Sequence, residues 1–100
     1  MPEHDGTNVN VVTPDNLQAF DVAGRQVAVA NVSGTLYAFE DACTHMGCSL
    51  VAQGHLSGTT VTCDCHGSEF DVRTGQVLHG PATRPVQTYP VDADGHVDVA

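Results

Sequence analysis

Cys43-Thr44-His45-Met46-Gly47-Cys48 and, fourteen residues further on, Cys63-Asp64-Cys65-His66-Gly67-Ser68 hold all four cysteines of this 100-residue chain. Each run also places one histidine near its first cysteine, as Cys43-x-His45 and Cys63-x2-His66. Two Cys–His pairs separated by a strand-length spacer describe two loops that meet at one metal centre. Thiolates and imidazoles suit zinc, copper or iron–sulfur chemistry. Zinc sites of the Cys2His2 kind usually draw each pair of like ligands from one element, as Cys-x(2–4)-Cys and His-x(3–5)-His. Here each loop donates one ligand of each kind. Gly47 and Gly67 suit tight loops whose N–H groups face an anion, as a sulfide-rich cluster requires. Spacing alone favours iron–sulfur and leaves zinc open.

Cys43-x-His45, seventeen further residues and Cys63-x2-His66 together resemble the binding motif of Rieske [2Fe–2S] proteins. In that family two cysteines hold one iron and two histidines the other. The resemblance implies one [2Fe–2S] cluster, with Cys43 and Cys63 on one iron and His45 and His66 on the other. Cys48 and Cys65 resemble the two extra cysteines of the high-potential Rieske proteins of respiratory complexes. There they form a disulfide joining the cluster loops, and the same bond is implied here. Gly80-Pro81-Ala82-Thr83-Arg84-Pro85 resembles the family's proline loop, which implies a cluster cover at Gly80 and Pro81. Proline fixes φ, so such a loop can exclude water with little mobility. The likeness runs over roughly residues 26 to 99.

The mixed ligand set has a derivable consequence. Two ferric ions, two sulfides and two thiolates sum to zero when both imidazoles are neutral, and one added electron makes the centre −1. Four thiolates would start it at −2. Imidazole ligation therefore raises the reduction potential, into a range of roughly −150 to +300 mV. Ser68 matches the family's serine whose hydroxyl donates to the cluster and favours the reduced state. Phe70 stands where respiratory members usually have tyrosine, so one donor is absent and an intermediate potential is expected.

Outward from the two loops, the chain reads as short strands. Gln26 to Val32 and Thr35 to Glu40 flank Ser33-Gly34, a two-residue hairpin signal. Thr59 to Thr62 leads into the second loop, Glu69 to Asp71 leaves it, and Arg73-Thr74-Gly75 turns into Gln76 to Leu78. Asn8 to Val12 is β-rich, and Thr13-Pro14 offers a cap for one helical turn. Gln87 to Val91 and His96 to Val99 form a closing hairpin around Asp92 to Gly95. The fold class is all-β, and the resemblance implies a sandwich of antiparallel sheets with a small inserted cluster-binding subdomain. Residues 1–100 are expected to form a single domain, with cluster loops at about 41–50 and 63–70 and the proline loop at about 79–85. Asp41 suits a loop-starting cap. His4, His55, His79 and His96 fall in no ligand pattern and are expected at the surface, while Tyr37, Phe39 and Tyr89 suit packing.

No apolar run approaches the ~20 residues of a membrane span, and Met1 to Gly6 lacks the basic and apolar regions of a signal peptide. The expected location is the cytoplasm. Respiratory Rieske subunits carry an anchor, and oxygenase large subunits carry a second domain with a mononuclear iron site that 100 residues leave no space for. The resemblance is thus to the soluble Rieske-type ferredoxins of aromatic-ring-hydroxylating dioxygenase systems. It implies a monomeric electron-transfer component, not itself an enzyme, that passes single electrons from a flavoprotein or iron–sulfur flavoprotein reductase to a terminal oxygenase in aromatic hydrocarbon catabolism. Alternatives are a cluster-bearing subunit of another redox complex, or a structural or regulatory small subunit of the nitrite reductase type, whose members typically lack the ligands.

Three arginines, no lysine and twelve acidic residues give a formal charge of −9. Nucleic acid and anionic membrane are poor partners for such a surface. Solubility accounts for the charge equally well as docking onto positive patches of redox partners. Under the docking reading, electron transfer from a reductase slows steeply with added salt, because exposed charges are screened over ~8–10 Å. Stopped-flow rates that stay flat from low to high ionic strength would leave the charge as a solubility feature.

Overall fold

The computed structural model describes residues 7–99 and contains eight strands, with no helix among the described residues. Sheet A has the order β1-β2-β3-β8 and sheet B the order β4-β5-β6-β7, every neighbouring pair being antiparallel. Sheet A is built from β1 (Leu17–Val22), β2 (Arg25–Val32), β3 (Thr35–Glu40) and β8 (Thr88–Tyr89). Sheet B comprises β4 (Gly54–Ser57), β5 (Thr60–Cys63), β6 (Glu69–Asp71) and β7 (Val77–His79). All of sheet B is therefore inserted between two neighbouring strands of sheet A. This is the expected all-β architecture with its inserted subdomain.

The alternation of β2 explains why its centre is apolar on both sides. Ala28 and Ala30 point into a core shared with Phe39, Val61, Phe70 and Val72, which lies between the sheets. Val27 and Val29 face a second core with Val9, Val22, Val97 and Val99, so the terminal segments cover the outer face of sheet A. Phe39 and Phe70 are both fully buried, each contributing about 2–3 kcal/mol by removal from water. Ser33 and Gly34 both take positive φ, 53° and 94°, which is the primed turn whose twist matches the flanking strands.

Several expectations need correction. Asn8 to Val12 is not a strand: the Val12 N–H turns back to the Val9 carbonyl at 3.3 Å, and the Val9 N–H pairs with Gly95 at 2.8 Å. Thr13-Pro14 opens a turn rather than a helical turn, closed by Asn16 N–H to Thr13 O at 3.2 Å, with Asp15 at φ 66°. Strands β1 and β4 are additional to the strands expected from the sequence. The closing hairpin is short, with β8 reduced to Thr88–Tyr89 and a lone bridge between Val91 and Val97. Its chain is instead tied to the end of β3, where Glu40 and Gln87 exchange two hydrogen bonds of 2.8 Å. His55 and His79 are exposed, but His96 is half-buried beside the Asp92 carboxylate. His4 lies outside the described residues.

The hairpin turn between β6 and β7 is pinned by a bidentate pair, Arg73 Nε and Nη2 donating to Asp71 at 3.1 and 2.9 Å. Those hydrogen bonds, outweighing partial burial, hold the Asp71 carboxyl below the usual carboxylate range. A depressed folded-state value gives stability that is complete above the unfolded value and lost as pH falls through the folded one. Arg73→Ala raises the folded value and removes that contribution, so the variant should be less stable near neutrality, and its acid unfolding followed by circular dichroism should begin at a higher pH than in the wild type. Coincident acid transitions for the two proteins would remove this pair from the stability of the fold.

Candidate metal centre

Both loops are built on one local plan. In the first, the Cys43 N–H donates to the Cys48 carbonyl at 2.8 Å and the Gly47 N–H to the Cys43 carbonyl at 2.7 Å. In the second, the Cys63 N–H donates to the Ser68 carbonyl at 2.8 Å and the Gly67 N–H to the Cys63 carbonyl at 2.8 Å. Each loop is thus a six-residue arch that starts at a cysteine and has glycine in fifth place. Gly47 and Gly67 sit at φ 76° and 85°, a region that side-chain-bearing residues rarely enter. The glycines are evident in the sequence, whereas the shared arch is defined by its backbone hydrogen bonds. The first arch follows β3, and the second joins β5 to β6.

The arches separate their ligand-type side chains by depth. Cys43 and Cys63 are 2% and 1% exposed, and both are free thiols. Burial pushes the Cys63 thiol up, and the adjacent Cys43 side chain adds to the rise, against lowering hydrogen bonds from backbone groups of Cys65 and His66. His45 and His66 are exposed, with ring centroids 5.0 Å apart and planes at 90°. All four residues therefore lie at one end of the fold, thiols inside and imidazoles outside.

Cys48 and Cys65 are joined by a disulfide, with Cα atoms 6.8 Å apart, and this bond ties one arch to the other. The sulfurs of Cys48, Cys63 and Cys65 all lie within 4.8 Å of one another. That trio is a poor zinc site, because the disulfide leaves only Cys63 able to become a thiolate. Zinc binding by three cysteines is thereby disfavoured.

The segment from Gly80 to Pro85 is fastened to both arches. The Ala82 N–H donates to Ser68 Oγ at 3.0 Å, and Thr44 Oγ1 donates to the Arg84 carbonyl at 2.6 Å. The Gly80–Pro81 peptide is cis, with Gly80 half-buried and Pro81 exposed. Ser68 is fully buried, and Phe70, likewise buried, belongs to the core between the sheets. Nothing in the sequence marks Thr44, since a threonine inside a Cys–His run carries no signal of its own. Asp64, exposed between Cys63 and Cys65, pairs with His55 Nδ1 at 3.0 Å.

Asp15, Asp92 and Asp94 are exposed. Asp15 donates its N–H to the Asn31 carbonyl at 2.8 Å, and Asp92 shares a concave surface with Gly34 and Thr35, so these two lie near the β2–β3 turn. The first arch leaves the opposite end of β3, six residues away.

Comparison with known proteins agrees with this geometry. The sequence profile of the Rieske [2Fe-2S] domain matches residues 6–90. The chain is 39% identical over 74 residues to the ferredoxin component of a naphthalene 1,2-dioxygenase system from Pseudomonas aeruginosa, covering 74% of this chain and 70% of that one. Among solved structures, the ferredoxin of carbazole 1,9a-dioxygenase from Nocardioides aromaticivorans IC177 superposes with a TM-score of 0.81 at 29% identity, over 92% of this chain and 91% of that one. A chain from a complex of reduced oxygenase and oxidized ferredoxin in carbazole 1,9a-dioxygenase gives a TM-score of 0.78 at 34% identity, over 93% and 96%. The chain belongs to the Rieske [2Fe-2S] domain family, whose centre is an iron–sulfur cluster.

Proposed function

We propose that this protein is a one-electron carrier of the Rieske ferredoxin type, taking electrons from a flavoprotein reductase and passing them to the terminal oxygenase of an aromatic-ring-hydroxylating dioxygenase system. The observation that carries this reading is the convergence of two buried free thiols and two exposed, facing imidazoles at one end of the fold. That donor set fits a mixed-ligand [2Fe–2S] cluster: Cys43 and Cys63 would hold one iron, His45 and His66 the other. Bound there, the cluster supplies reversible one-electron chemistry. The rest is done by the chain. Exposure of His45 and His66 brings the redox end within reach of a partner, which favours short tunnelling distances without any substrate pocket. The arches and the disulfide between Cys48 and Cys65 hold the ligands in a fixed geometry, so little rearrangement accompanies electron transfer.

Ser68 serves as a tuning residue through its hydroxyl hydrogen, its oxygen being already engaged by Ala82 N–H. Phe70 contributes by offering no hydroxyl at all. Gly80 and Pro81 cover the centre, latched by the two hydrogen bonds from Thr44 and to Ser68. We place the protein in the cytoplasm as a monomer; no helix of the described residues is long and apolar enough to cross a membrane. Similarity to ferredoxin components of dioxygenase systems supports the carrier reading over the other redox assignments.

Ligation is tested by labelling. With 15N-histidine incorporated, magnetic resonance of the reduced, red-brown protein should report two imidazole nitrogens coupled to the centre. His45→Ala and His66→Ala should each abolish that signature and the colour. Coupling to no nitrogen would overturn the assignment.

A second expectation concerns the bond between the arches. It closes a loop of 17 residues in sequence separation, for which the chain-entropy estimate is roughly 3 kcal/mol. Thiol titration of the denatured, cluster-stripped protein without reductant should find two free thiols, and the Cys48→Ser, Cys65→Ser double variant should be less stable. Four thiols in the wild type, with the double variant equally stable, would retire the bond.

A further inference from the structure

Where the first arch leaves sheet A, the chain passes through one buried carboxylate that the proposed electron carrier does not otherwise use. Asp41 is 5% exposed. Its Oδ1 accepts the Val51 N–H at 2.8 Å, and its Oδ2 accepts the Ser49 hydroxyl at 2.6 Å and the Gln26 side-chain amide. Its own N–H donates to the Gln26 carbonyl at 3.2 Å. Ser49 Oγ in turn accepts the Ala52 N–H at 3.0 Å, and the Ser49 carbonyl accepts the Gln53 N–H at 2.9 Å. One side chain thus clamps the start of β2 and the end of β3 to the segment that follows Cys48. Cys43 lies two residues beyond it, within about 7.6 Å between Cα atoms. Both ends of the first arch are consequently referred to the same carboxylate.

We propose that Asp41 is the positioning residue of the first arch: it fixes the arch from Cys43 to Cys48 on sheet A, so that Cys43 and His45 stay placed to hold the cluster. This deepens the proposed function and rests on Cys43 and His45 being ligands. The second arch is carried by β5 and β6 directly, with ladder pairs on both sides. The first arch has a strand only before it, and on its far side the Asp41 hydrogen bonds take the place of a ladder. Position 41 must therefore present an acceptor to the Val51 amide and a polar atom to Ser49 and Gln26. Asparagine meets that need: its oxygen serves Val51, its amide can donate to Ser49 Oγ, and the Gln26 amide can rotate to offer its oxygen. Alanine meets none of it and leaves buried donors unpaired.

The test uses the cluster-loaded protein and its Asp41→Ala, Asp41→Asn and Ser49→Ala variants. Hydrogen exchange by mass spectrometry is read on peptides covering 44–53 and on peptides from β2, and release of iron to a chelator is followed by the loss of visible colour. In Asp41→Ala, exchange over 44–53 should quicken about tenfold, the scale of a lost hydrogen bond to a charged acceptor, while β2 stays near the wild type. Iron release should quicken with it, and the visible circular dichroism of the centre should change. Asp41→Asn should return all three readouts toward the wild type, and Ser49→Ala, which removes one donor to Asp41 and the acceptor of the Ala52 N–H while leaving the Val51 and Gln26 bonds, should fall between. An equal quickening in β2, no quickening over 44–53, unchanged iron release, or no rescue by asparagine would each overturn the proposal. Should Asp41→Ala fail to fold, the Ser49→Ala and asparagine comparison decides alone. The exchange readout does not depend on which atoms hold iron, so a wrong ligand assignment would appear in the nitrogen-coupling experiment and leave this comparison intact.

Discussion

The hydrogen bond from the first N–H of each arch to the carbonyl of its sixth residue is the constraint on which the site depends. It closes Cys43 onto Cys48 and Cys63 onto Ser68 at the same distance, 2.8 Å. A loop of six residues closed this way must reverse sharply, which glycine at positive φ permits in fifth place. The leading cysteine of each arch is then held at the base and buried, while the histidine near the crown is left exposed. Depth is thus decided by backbone closure before any metal is considered.

Two copies of such an arch do not make a centre until they are brought together, and this is the work of the sheets. Sheet B is inserted whole between β3 and β8, and the core containing Phe39, Val61 and Phe70 joins it to sheet A. Because one arch follows β3 and the other bridges β5 and β6, closing that core also sets the distance between them. The disulfide and the two latches on the proline-bounded segment then act at the rim. A partner meeting the arches meets histidine, glycine, the 64% exposed Met46 and the exposed carboxylate of Asp64.

Legibility in the sequence followed the range of the interactions. Ser33-Gly34 announced its hairpin because a primed turn depends on two adjacent residues. Strands β2 and β3 were clear from their apolar runs. The segment Asn8 to Val12 misled, since valines that suit a strand were recruited singly, Val9 by Gly95 and Val12 through its carbonyl by Asn31. Strands β1 and β4 went unseen because their burial patterns are mixed and both lie at sheet edges, where pairing on one side suffices.

The sequence by itself determined the chemistry: two Cys–His runs, two further cysteines and a proline-bounded segment, in an order and spacing that few folds other than a Rieske domain would need. It did so because residue type and arch length are local properties. What only the tertiary structure decided is which groups support that chemistry. Thr44 reaches a carbonyl forty residues away, Ser68 receives the Ala82 amide, and Asp41 gathers donors from β2 and from beyond Cys48. Such partners share no spacing rule, since they meet only after sheet B has packed on sheet A.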